Sequence, residues 1–201
     1  AESTMETMIR QGAELILACG FAFQYPAISV AERHPDVKFM HPGGWEVTEN
    51  FSNFFGTTQQ HFYIMGVAAG LMTETNKIGF IGGMPLGFTL GNINGFHLGA
   101  RSVNPEVTTH LMWTFSWGDT TKEAAAAQAL LDQGIDVISM HLDSPIAVIQ
   151  TIEAADAHTI GFMSFEAQKY APQGWVTGLG LTWGDYFTES ARAVIDGTWQ
   201  A

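Results

Sequence analysis

The sequence contains a single cysteine, Cys19, in 201 residues. That excludes an internal disulfide and any metal site built from several thiolates, and it leaves the redox compartment open. Basic residues are scarce as well: 8 Lys and Arg stand against 20 Asp and Glu, for a net charge of −12. Such a chain repels nucleic-acid phosphates, so DNA and RNA are not expected partners. The acids form no block of like charge and read as an ordinary solvated surface. No apolar run reaches the roughly 18 residues needed to cross a bilayer. The longest, from Phe62 to Met72, has the look of a buried helix. Neither a basic start nor an apolar signal core follows Ala1-Glu2-Ser3-Thr4. Internal repeats and low-complexity segments are also lacking. The histidines show no His-x-x-x-His or Glu-x-x-His spacing, so no metal is expected.

What remains is 46% hydrophobic and only 14% charged, enough to bury a core. Short β-rich runs alternate with helical patterns throughout, which predicts an α/β fold with parallel strands and crossover helices. Strands are expected over 14–19, 36–40, 77–82, 107–114, 135–140, 158–162 and 175–181. Helices are expected over 2–11, 25–34, 60–72, 87–101, 120–132, 145–155 and 186–196. Thr120 with Glu123 reads as a capping box, and Gly134 stands where that helix must stop. Ser144 followed by Pro145 reads as an N-cap and a first-turn proline. Gly66-Val-Ala-Ala-Gly70 permits close packing of a helix on a sheet. The interval 41–59, with glycines, a proline and clustered phenylalanines, breaks the alternation and is the expected hinge. One lobe is then 1–52 plus 182–201, and the other 53–181.

Ligands of open α/β sheets gather beyond the carboxyl ends of the strands. The residues there are Gly20, Phe21 and Phe23; Pro85; Trp117 and Asp119; His141 and Asp143; Phe165; and Trp183. Aromatic faces with a few hydrogen-bonding groups suit a flat, partly polar ligand, because stacking and edge recognition act together. Each has a plainer reading too: Trp117, Phe21 and Phe23 as packing residues, Asp119 and Asp143 as helix caps, His141 as a surface histidine. No paired carboxylates, nucleophile with base, dinucleotide loop or phosphate-cradling loop is present, so no catalytic residue and no cofactor is expected.

Several stretches in this order are together specific: Gly20-Phe21-Ala22-Phe23, His34-Pro-Asp-Val-Lys-Phe39, Tyr63-Ile-Met-Gly66, Thr75-Asn76-Lys77-Ile78-Gly79, Asn94-Gly-Phe96, Trp117-Gly-Asp119, Asp143-Ser-Pro145 and Asp196-Gly-Thr-Trp199. Over nearly its whole length the chain resembles the basic membrane protein family of substrate-binding lipoproteins, which includes purine nucleoside receptors of bacterial ABC importers. The resemblance implies a type I periplasmic-binding-protein fold: two Rossmann-like lobes with parallel sheets, incomplete here at both termini and closing on a ligand in an interlobe cleft. It implies that the family's first strand, helix and second strand and its C-terminal end lie outside this chain. It also implies no chemistry, an ABC permease as partner, a periplasmic or extracytoplasmic location, and a membrane tether through an N-terminal lipoprotein segment.

By motif position Trp117 matches an aromatic that stacks on the base, and Phe21 and Phe23 match the loop lining the first lobe. The family's acidic segment reads Gly161-Phe-Met-Ser-Phe165 here, and its Glu and Arg after Pro85 are replaced by Phe88 and Gly91. Apolar surface in place of charge-assisted hydrogen bonds disfavours a ribose and favours a bare purine base or another flat, nucleoside-like heterocycle. A receptor for riboflavin or another heterocycle, and the effector-binding lobes of a sensor or regulator, are the alternatives.

Overall fold

The computed structural model describes residues 1–201, which form two compact units: 1–56 with 182–201, and 57–181. The division falls at residue 56 rather than 52 because a strand over Phe51–Phe54 belongs to the first unit.

In the first unit, β1 (Leu15–Leu17), β2 (Lys38–Pro42) and β3 (Phe51–Phe54) form a parallel sheet in the order β1-β2-β3. It is joined by α1 (Glu2–Arg10) and α2 (Gln24–Arg33). Met5, Ile16, Ala27, Val30, Phe39 and Phe51 make its core. The strand β3 lies inside the interval expected to be a hinge. Its sequence is Phe-Ser-Asn-Phe, whose two central residues are poor strand formers, and it is fixed by pairing along β2 rather than by local preference. Asn50, just before it, donates through Nδ2 to the carbonyls of Ala31, His34 and Val37, tying the end of α2 to the sheet.

The second unit holds β4 (Lys77–Gly82), β5 (Thr108–Trp113), β6 (Val137–His141), β7 (His158–Met163) and β8 (Trp175–Gly180), all parallel, in the order β5-β4-β6-β7-β8. The helices α3 (Thr58–Met72) and α4 (Gly87–Val103) cover one face, where Phe62 and Phe96 close on Phe80 of β4. The neighbouring residue Gly79 faces Leu130 of α5 (Thr120–Leu131), so α5 covers the other face, and α6 (Ile146–Glu153) packs beside it. The last helix, α7 (Gly184–Ile195), returns to the first unit.

Three local expectations are corrected. The glycines of Gly66-Val-Ala-Ala-Gly70 pack against α4 rather than the sheet: a β-carbon on Gly66 or Gly70 would run into the backbone of Phe96 or Ala100, and one on Gly95 or Gly99 into that of Gln59 or Tyr63. The cap of α5 is Asp119, one residue ahead of the expected Thr120. Its Oδ1 accepts from the N–H of Lys122 at 3.1 Å, which leaves Glu123 to turn inward. The helix α6 starts at Ile146 without any side-chain cap, so Ser144 does not serve as one. Gly134 does end α5, at φ 75°.

Candidate functional site

The carboxyl ends of the second unit's strands converge on His141, the last residue of β6. Register places it beside Gly82 on β4, on the face covered by α3 and α4. Four aromatic rings surround the imidazole. Phe162 of β7 is nearest, with centroids 4.3 Å apart; Phe88 of α4 is at 5.5 Å, Trp117 at 5.7 Å, and Phe62 of α3 lies parallel at 6.4 Å. Phe88 and Trp117 are themselves nearly parallel, 18° apart, at 6.2 Å. His141 is only 4% exposed, and burial among these rings pushes its pKa down to about 4, so the imidazole is neutral at physiological pH.

Its Nδ1 lies 2.8 Å from Nδ2 of Asn92, and Oδ1 of Asn92 accepts from the hydroxyl of Thr58 at 2.8 Å. All three residues are buried. Asn92 occupies the middle of α4 and Thr58 opens α3, so two helices that cross against each other hold one ring of the sheet.

The loops after β5 and β6 run side by side, with the N–H of Asp143 donating to the carbonyl of Trp117 at 2.8 Å. Gly83 makes room for the indole: a β-carbon there would meet Trp117. Strain gathers at this pole. Phe115 and Met163, one after β5 and one ending β7, hold positive φ values of 51° and 77°, unfavourable for side chains of that size. On the opposite side of the sheet, Glu123 is fully buried and neither carboxylate oxygen has a hydrogen-bond partner. Burial, with the charges of Asp119 and Asp143, raises its pKa to about 7. Asp143 is exposed as a residue, but desolvation of its carboxyl raises its pKa as well.

Of the sequence-derived candidates, this unit brings Trp117 and His141 into ring contact and sets Asp119 and Asp143 near them. Asp119 is occupied as a helix cap and pairs with Lys122 Nζ at 3.4 Å. Pro85 and Phe165 are exposed; the ring of Phe165 lies over Gly180. In the first unit, Phe21 and Phe23 form a 3-10 turn entered through Gly20, whose carbonyl accepts from His41 Nε2 at 3.0 Å. Phe21 meets Trp45 at 6.0 Å, while Phe23 is 40% exposed. Trp183 lies in a separate cluster of that unit, edge-on to Phe54 at 5.0 Å and stacked on Phe187 at 6.3 Å. Sequence reasoning missed Phe62, Phe88, Asn92, Phe162 and Thr58 as site residues. The one available signal was Phe88, standing where a related sequence pattern has a charge.

No group of three or more His, Cys, Asp or Glu side chains is placed to hold a metal ion, and no helix is long and apolar enough to cross a membrane. A shallow groove of about 470 Å³ between α5 and α6, lined by Ala124, Gln128, Ala147, Gln150 and Thr151 among others, contains none of the ring-site residues.

The profile of the family described as ABC transporter substrate-binding protein, PnrA-like, matches residues 1–201. A purine-binding protein of Brucella abortus is 38% identical over 205 residues, covering 100% of this chain and 57% of its own length. A putative ABC transporter glucose-binding protein of Haloferax volcanii is 32% identical over 201 residues, covering 100% of this chain and 51% of its own length. Among solved structures, an ABC transporter solute-binding protein of Conexibacter woesei superposes with a TM-score of 0.73 at 26% identity, covering 99% of this chain and 67% of that one. The chain thus spans about half the length of the curated relatives it matches.

Proposed function

The chain belongs to the PnrA-like family of ABC transporter substrate-binding proteins, and from that premise we propose that it captures a purine base, or a similar flat heterocycle, against the rings around His141. The observation that carries the proposal is the neutral, nearly buried imidazole enclosed by Phe62, Phe88, Trp117 and Phe162, with one polar edge among apolar faces. The half-buried rings of Phe88 and Trp117 can stack a planar ring while the imidazole hydrogen-bonds its edge. Capture is reversible and makes or breaks no bond. The loaded state is what an ABC permease would recognise, on the outer side of the membrane to which the receptor is tethered.

A purine base suits this surface better than a nucleoside or a sugar. A ribose or hexose presents hydroxyls on several sides, and each one buried without a partner costs about 1–3 kcal/mol. Near His141, the half-buried rings of Phe88 and Trp117 offer apolar surface instead. The relative described as purine-binding is in keeping with this reading, while the one described as glucose-binding sets the contrast to be tested.

Calorimetry on the full-length receptor with adenine, guanine, adenosine, riboflavin and glucose is the direct test. Tightest binding by a purine base, weakened roughly tenfold or more by Trp117→Ala, supports the proposal. Preference for adenosine or glucose, or an affinity indifferent to Trp117, defeats it.

A further inference from the structure

Resting on the reading that the ring cluster receives a flat heterocycle, we infer that Thr58 and Asn92 fix His141 as a one-way hydrogen-bond donor, so that the site selects a ligand edge presenting an acceptor, a ring nitrogen lone pair or a carbonyl oxygen, to Nε2–H.

The argument follows the protons. The hydroxyl of Thr58 donates to Oδ1 of Asn92 at 2.8 Å, which turns the amide nitrogen toward the imidazole. That nitrogen carries only hydrogens to offer, so His141 Nδ1, 2.8 Å away, meets it with a lone pair. A neutral imidazole with a lone pair on Nδ1 carries its single proton on Nε2. Thr58 is 2% exposed, Asn92 0% and His141 4%, so water does not compete for these bonds. Nε2 has no acceptor in the protein and is not among the sealed polar atoms that lack one. It is the one polar atom of the ring left for a ligand.

The consequence is directional. A ligand whose facing edge carries N–H would set donor against donor and leave both unsatisfied, whereas a lone pair in the same place completes the chain from Thr58 outward. Stacking on Phe88 or Trp117 does not distinguish these ligands, because every heterocycle has a π-face. Asn92 and Thr58 are positioning residues, and they act through His141.

Two measurements on the full-length receptor decide the matter. In two-bond ¹H–¹⁵N spectra of ligand-free protein, with His141 assigned by its loss in His141→Phe, the ring is expected as a single neutral tautomer protonated at Nε2. Asn92→Leu should yield a mixture of the two neutral tautomers. A wild-type proton on Nδ1, or a wild-type mixture, overturns the inference, and this readout stands even if the Asn92 variant does not fold. The second is affinity for adenine against 1-deaza-, 3-deaza- and 7-deazaadenine, each of which replaces one acceptor nitrogen by C–H. One analogue should bind roughly tenfold or more weakly, and the difference should vanish in His141→Phe. Equal binding of all four, or a difference that persists without His141, overturns the inference while the purine reading survives. If none of the four binds, the purine reading fails, and the tautomer alone decides the role of Thr58 and Asn92.

Discussion

Glu123 and Asp119 stand one helical turn apart at the head of α5, and of their two carboxylates only that of Asp119 has hydrogen-bond partners. Asp119 caps the helix through the N–H of Lys122 and pairs with its ammonium, and these contacts hold its pKa below the usual carboxylate range. Glu123 is buried with both oxygens unmet, and its pKa rises from 4.5 to about 7 under desolvation and the charges of Asp119 and Asp143. A raised carboxyl pKa means that the folded chain keeps a proton which the unfolded chain releases between about pH 4.5 and 7. Stability from this group is therefore present in full below the unfolded value and declines as pH climbs through the folded one. Glu123→Gln removes the decline. Its melting temperature relative to wild type is expected to rise between pH 5 and pH 8, and a difference that stays constant with pH would rule this out.

His141 works in the opposite sense. Its folded pKa lies near 4, below the ordinary 6.5, so the stability it contributes is complete above pH 6.5 and is lost as pH falls toward 4. The ring resonances of His141 should show no inflection between pH 8 and pH 5. A midpoint near 6.5 would mean that the ring is open to water.

The seam between α3 and α4 has no room for a β-carbon on Gly99, whose backbone lies against the carbonyl of Tyr63. Gly99→Ala must push the helices apart and is expected to cost roughly 3 kcal/mol, or about 6–12 °C of melting temperature for a chain of this size. Gly91, in the same helix, would meet only Gln59 Cβ at 3.8 Å, an ordinary contact. Gly91→Ala should therefore stabilise by about 0.5–1 kcal/mol through helix propensity. Equal effects at the two positions would refute the packing argument.

Asp119→Ala deletes the cap of α5 and should lower the melting temperature, whereas Asp119→Asn keeps a capping oxygen and should stay close to wild type. If Asn is as damaging as Ala, the carboxylate charge matters in its own right.

Trp183 packs edge-on against Phe54 and stacks on Phe187, all within the first unit. Trp183→Ala is expected to lower thermal stability by roughly 2 kcal/mol and to leave adenine affinity in place. An affinity loss as large as that of Trp117→Ala would place Trp183 in the ligand site.

Much of the fold was legible because its cues are local. Seven strands and seven helices follow from short apolar runs, Gly134 and the spacing between them, and the structure differs mainly at helix caps, where a shift of one residue changes which side chain turns inward. Glu123 shows the cost of that shift: read as a capping acid, it is a buried carboxyl without a partner. The strand β3 escaped notice because Ser52 and Asn53 interrupt its apolar pattern, and only its register along β2 reveals it.

The sequence by itself determined the α/β alternation, the parallel sheets, the family and the positions of Trp117 and His141 at strand ends. These rest on periodicities and motifs read within a few residues of one another. Tertiary structure alone decided that Thr58, Asn92 and His141 share one hydrogen-bonded line, that Phe62, Phe88 and Phe162 join Trp117 around it, and that two pairs of glycines let α3 meet α4. Those residues lie tens of positions apart in the chain, and no local preference specifies a contact that forms only when the sheet and its covering helices close together.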